Sequence, residues 1–190
     1  VLFKDEYHDL STNIYPDVQY PNGTQYLENF ETLPFPLWKY KNADWELEKS
    51  ILMMQNSNTS LIKYCNKGGN SIILELHSLY SFTDFHITFQ ENTITDFYSE
   101  INANGMKTYP KYEAIPIFTR WTAGEFIEAR SWYKNIQLPI ERERGLEYET
   151  DYYRLGYIKQ ELKPNESITM LYTVDEKVVD IDINLLFKEE

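Results

Sequence analysis

The chain has 190 residues, with 30 acidic side chains against 18 basic ones, a net charge of −12 and one cysteine. A chain of this length buries roughly two-thirds of its unfolded surface without disulfide or metal staples, so residues 1–190 are read as one domain. The acidic balance, with no basic cluster, argues against a nucleic-acid partner, and no stretch approaches the ~20 apolar residues of a membrane-spanning helix.

In chain order, "VLFKDEYHD" (1–9) has neither the basic head nor the apolar run of a signal peptide. It opens without Met and in mid-pattern, which reads as a piece of a longer protein. Residues 24–32, 37–42, 45–54, 60–66 and 71–82 alternate or run apolar, are rich in β-branched and aromatic residues, and predict strands. Between them, "LPFP", "NAD", "QNSNT" and "NKGGN" are turn formers at hairpin spacing, which makes consecutive strands antiparallel neighbours. Further strands are expected at 84–89, at 115–121 and, after the turn "TAGE", at 125–135. Two alternating arms over 157–174 flank "KPNE" as a hairpin, and the tail 178–190 reads equally as a last strand or the start of a helix. With no helical period elsewhere and no internal repeat, the pattern predicts an all-β fold: an antiparallel β-sandwich with long strands.

Aromatic residues are in excess, with 16 Tyr, 10 Phe and 4 Trp. Rings with polar edges suit a sheet surface or a carbohydrate-contacting one. His8, His77 and His86 are isolated, and a lone cysteine cannot complete a zinc site, so neither a metal nor an organic cofactor is expected. Cys65, inside the strand "LIKYCN", reads as a small packing residue, and as the one thiol it points to a reducing, cytoplasmic setting. In such a setting the Asn-x-Ser/Thr patterns at Asn22, Asn58 and Asn165 are coincidental, while Gly68 and Gly69 form a turn too short for a phosphate loop.

The segment "LPIERERGLEYETDYYRLGY" (138–157) concentrates the remaining chemistry. Glycoside hydrolysis needs two carboxylates, one of them kept protonated. Glu141 and Glu143 would share one side of an extended segment, but Arg142 and Arg144 favour the charged carboxylate, the wrong form for a general acid. No catalytic residue is therefore assigned, and the segment reads as a charged, hydrogen-bonded loop that fixes the backbone or faces a partner domain. The flanking "RSWYKN" and "DYYR" place Trp132, Tyr133, Tyr152 and Tyr153 either as a rim beside that loop or as core on one face. Trp132, Tyr133, Arg142, Glu143, Arg144 and Tyr153 are the candidate substrate-binding residues, the rings stacking on sugar faces and the charged forks orienting hydroxyls.

Several separated stretches, "YHDLSTNIYPDVQYPNGTQYLENFETLPFPLWKY", "LEKSILMMQNSNTSLIKY", "LELHSLYSFTDFH" and above all "PIERERGLEYETDYYRLGYIKQELKPNESI", resemble in order and spacing the N-terminal domain of archaeal and bacterial glycogen debranching enzymes, the amylo-α-1,6-glucosidase family. The resemblance runs from about Tyr7 to Thr173, and the family's "ERERG" stretch matches Glu141 to Gly145. It implies a large "supersandwich" that supports a C-terminal (α/α)6 catalytic barrel and helps hold a branched, glycogen-like α-glucan. The catalytic carboxylates then lie in the barrel, with or without an added 4-α-glucanotransferase step, and this chain alone is not catalytic. Family members begin with a segment supplying early strands, for which nothing here corresponds upstream of Val1. An open sheet edge, prone to pairing with another copy, is expected. An autonomous carbohydrate-binding module and a purely structural interdomain scaffold remain the alternatives.

Overall fold

The computed structural model describes residues 1–183 and Leu186. Within them the chain forms strands β1 (Leu2–Phe3), β2 (Glu6–Tyr7), β3 (Thr12–Tyr15), β4 (Val18–Asn22), β5 (Leu27–Glu31), β6 (Leu37–Lys41), β7 (Glu46–Met53) and β8 (Thr59–Asn66). They are followed by β9 (Ile72–Tyr80), β10 (Tyr98–Asn102), β11 (Gly105–Tyr109), β12 (Ile117–Trp121), β13 (Glu125–Gln137), helix α1 (Pro139–Glu143), β14 (Glu149–Leu162) and β15 (Ser167–Thr173). One sheet has the order β13-β14-β9-β1-β2, a second β10-β11-β12-β15-β8-β7-β6-β5, and β3-β4 forms a separate ribbon lying against β13. Every pairing is antiparallel, and the fold is the all-β sandwich that the period-two pattern predicts.

Alternation sorts each strand onto two faces. Trp45, Leu47, Ile72, Leu74, Trp121 and Met170 belong to the main core between the sheets. Leu52, Leu61 and Leu171 point to the far side of the larger sheet, where Val178, Ile183 and Leu186 cover them. That covering segment is held by Arg120, whose Nη1 donates to the carbonyls of Val179 and, at 3.0 Å, Ile181. Turns are closed by side chains. Asn42 Oδ1 accepts from the Asp44 and Trp45 amides at 2.8 and 2.9 Å, turning β6 into β7. Asn66, fully buried, donates to Leu162 O at 2.9 Å and Asn70 O at 2.8 Å while accepting from Gly68 N, joining the β8–β9 turn to β14. Gly156 sits where the β14 register shifts, and a Cβ there would lie 2.2 Å from Ile127 O, so only glycine lets β13 approach.

Three expectations need correction. Residues 84–89 form no strand: Ile87 N turns back to Asp84 O at 3.2 Å, and Phe89 is bonded through its N–H to Thr150 Oγ1 at 3.1 Å and through its C=O to Asp151 N at 2.6 Å rather than to a strand ladder. Residues Gly23–Tyr26 make a 3₁₀ turn rather than the start of a strand. The β10–β11 hairpin and the first half of β14 were not expected as strands. The tail expectation over 178–190 lies partly outside the described residues; inside them, Glu176–Val178 is a 3₁₀ turn and Leu186 N bonds Asp182 O at 3.2 Å. Among the described residues no helix is long and apolar enough to cross a membrane.

Candidate functional site

The "ERERG" segment is a helix, not an extended loop. Pro139 stands at its first turn and Gly145 closes it at φ 73°, the usual N-terminal Pro and C-terminal Gly arrangement. The helix caps one end of the β13–β14 hairpin, with Leu138 N bonded to Tyr148 O at 2.8 Å and Leu146 N to Glu141 O at 3.0 Å. Helical spacing turns Glu141 and Glu143 apart. Glu141 faces inward, between Arg144 Nη1 and His86 Nδ1, each at 3.3 Å, whereas Glu143 is exposed. Two carboxylates held differently and turned apart do not make an acid–nucleophile pair. Arg142 lies over the Tyr148 ring at 5.1 Å.

The segment 82–90 runs across this end. Thr88 Oγ1 donates to Glu147 Oε2 at 3.0 Å and Gln90 Nε2 to Glu149 O at 2.7 Å. Buried Asp151 anchors the base, accepting from Glu91 N and Asn135 N, both at 2.9 Å. The result is an apolar patch beside a charged helix: Phe85, Ile87 and Ile140 are 88, 55 and 57 % exposed, next to Arg142, Glu143 and Arg144.

The six candidate residues separate. Arg142 and Glu143 lie on α1, and Arg144 is its C-cap. Trp132 and Tyr153, directly opposite on β13 and β14, are half-buried rings packed against the core: Tyr153 stacks on fully buried Phe97 at 4.9 Å, and Trp132 packs on Phe89, Phe97 and Tyr153. Tyr133 points to the opposite face, where its hydroxyl accepts from Arg154 Nη1 at 3.2 Å. Sequence reasoning left core and rim open because alternation reveals that two faces differ without saying which is covered. It also missed Phe85 and Ile87, placed in a strand, and His86, read as isolated.

A cavity of about 690 Å³ opens beside β9, lined by Tyr40, Lys49, Tyr64 and Tyr172 from the larger sheet and by Glu75 and His77 from β9 itself. Tyr172 and Ser78 share a hydrogen bond of 2.7 Å, and burial pushes the Tyr64 and Tyr172 hydroxyls above the usual phenol range. Burial holds Lys49 below the ordinary lysine range, its ammonium 5.1 Å from the Trp38 ring. His77 stacks on Tyr157 at 4.9 Å and takes a hydrogen bond from Arg154 Nη1 at 3.0 Å. Among the described residues no group of three or more His, Cys, Asp or Glu side chains is arranged to hold a metal ion.

These features define the class: an antiparallel β-sandwich domain with a charged, partly apolar end at which Glu141 and Glu143 do not form an acid pair. The sequence profile described as "Glycogen debranching enzyme N terminal" matches residues 1–169, and the chain belongs to that family. A solved structure bearing the description "Putative kojibiose phosphorylase from human microbiome" is similar at 12 % identity and TM-score 0.44, over 94 % of this chain and 23 % of that one. The chain thus corresponds to under a quarter of that protein's length. No curated protein matches the sequence.

Proposed function

We propose that this chain is the non-catalytic N-terminal domain of a glycogen debranching enzyme, an amylo-α-1,6-glucosidase, which supports the catalytic domain and helps hold branched α-glucan. The observation that carries the reading is the α1 end, where Phe85, Ile87 and Ile140 stand exposed beside Arg142, Glu143 and Arg144. An apolar centre with a charged rim is the composition of a protein–protein contact. Membership in a family of N-terminal domains supplies the kind of partner, the enzyme's own catalytic domain. Glucan contact falls to the guanidinium forks of Arg142 and Arg144 and the carboxylate of Glu143, which orient hydroxyls at that rim. The rings of Trp132 and Tyr153 are half-buried against the core, so they are given the smaller share of the proposed contact.

Titration of the chain with maltoheptaose and with glycogen, followed by tryptophan fluorescence, tests the sugar half of the reading. A saturable change lost in the Arg142→Ala, Arg144→Ala double variant is expected. No change with either sugar would leave the domain a structural scaffold alone.

A further inference from the structure

The inner face of a sandwich sheet ordinarily carries apolar side chains, so polar groups set into it need a reason. The larger sheet has eight strands against five, and part of its inner face is left to the cavity beside β9. There β6, β7 and β8 bring together Tyr40, which stands opposite fully buried Leu47, Lys49, which shares the side of Leu47, and Tyr64, which pairs with Lys49 across the β7–β8 ladder. Beyond burial, the neighbouring Tyr172 and Tyr40 hydroxyls raise the Tyr64 pKa, so the three phenols converge. Tyr172 has its partner in Ser78. Among the described residues the Tyr40 and Tyr64 hydroxyls have no hydrogen-bond partner, and the Lys49 ammonium has no carboxylate within ion-pair distance. Deep-set polar groups without partners, gathered at a cavity, mark the place of a hydrogen-bonding ligand.

We propose that the cavity binds a short neutral oligosaccharide, whose hydroxyls bond Tyr40, Tyr64 and Lys49 while its ring faces lie on the tyrosines of the mouth. The volume of about 690 Å³ falls within the ~300–1,000 Å³ of small-molecule sites. Among the described residues every aromatic ring of the lining except His77 is a tyrosine, so each offers an apolar face with a hydroxyl edge. Tyr7 and Tyr20 are the exposed pair, open to stacking. Phenols both donate and accept and the ammonium only donates, a set that sugar hydroxyls, which do both, can satisfy in full. Charge separates this ligand from its nearest alternative. Asp9 and Glu75 also line the cavity and the chain carries −12, so a phosphorylated or carboxylated molecule is repelled.

Among the described residues neither the α1 end nor any tryptophan contributes to the lining. The inference therefore stands apart from the role given to the α1 end, and occupancy is read by calorimetry and by the reactivity of Lys49 toward an amine-acylating reagent rather than by fluorescence. Chain 1–190 is titrated with maltotriose and, as the anionic counterpart, with glucose 1-phosphate. Saturable heat and shielding of Lys49 are expected with maltotriose and not with glucose 1-phosphate. Tyr64→Phe removes a hydroxyl that no protein group uses, so its urea midpoint is expected to match that of the unaltered chain while maltotriose binds about tenfold more weakly. The Arg142→Ala, Arg144→Ala double variant is expected to keep its full affinity for maltotriose. Absence of both heat and shielding would overturn the proposal. So would tighter binding of glucose 1-phosphate, which would make the cavity an anion site, or maltotriose affinity lost in the double variant and kept in Tyr64→Phe, which would place the sugar at the α1 end.

Discussion

His77 shows how one side chain reads its surroundings. Arg154 Nη1, an obligate donor, lies 3.0 Å from His77 Nδ1, so that nitrogen must carry a lone pair and the imidazole is neutral. Burial first and the Arg154 charge second lower its pKa from the ordinary value, against the smaller pull of Glu75 and Asp9. The sign follows: the unfolded chain takes up a proton near pH ~6.5 that the folded chain resists, so this contribution is complete above that pH and is lost as pH falls below it. His77→Gln, which keeps an acceptor for Arg154, is expected to flatten the pH dependence of the urea midpoint below about pH 6.5. Asp151 makes a second prediction at this scale. Its buried carboxylate accepts from two backbone amides, and Asp151→Ala is expected to cost about 2 kcal/mol by urea unfolding and to speed exchange at Glu91 and Asn135.

At the scale of elements, the segment covering the far side of the larger sheet depends on one side chain. Arg120→Ala removes the donor to Val179 O and Ile181 O, and the expected result is a loss of about 1–2 kcal/mol with faster proteolysis after Lys177. The strands were legible wherever alternation ran uninterrupted: β6 to β9, β12, β13 and the β14–β15 hairpin lie where period two and turn residues place them. Elements whose cause is not periodic were illegible. Segment 84–89 alternates like a strand, yet Ile87 turns back onto Asp84 and Phe89 is bonded to Thr150 Oγ1 and Asp151 N instead of to a strand. Helix α1 is too short to show a helical period, and its signals are the Pro139 and Gly145 that bracket it. The charged half of the candidate site was legible because Arg142, Glu143 and Arg144 are contiguous in sequence. The apolar half was not, because Phe85 and Ile140 lie far apart in sequence and their segments meet through long-range contacts such as His86–Glu141 at 3.3 Å and Thr88–Glu147 at 3.0 Å.

Across the whole molecule, the α1 end, where Phe85, Ile87 and Ile140 stand exposed, carries the proposed functional account. The measurement that bears on it most directly is hydroxyl-radical footprinting of chain 1–190 alone against the same chain joined to the catalytic domain that the proposed function calls for. Side chains at the centre of an interface lose most of their solvent contact, so Phe85, Ile87 and Ile140 are expected to oxidise about tenfold more slowly in the joined protein, while exposed Met53 on the larger sheet keeps its rate. Equal rates at Phe85, Ile87 and Ile140 in the two proteins would contradict the assignment of the α1 end as the seat of the catalytic domain.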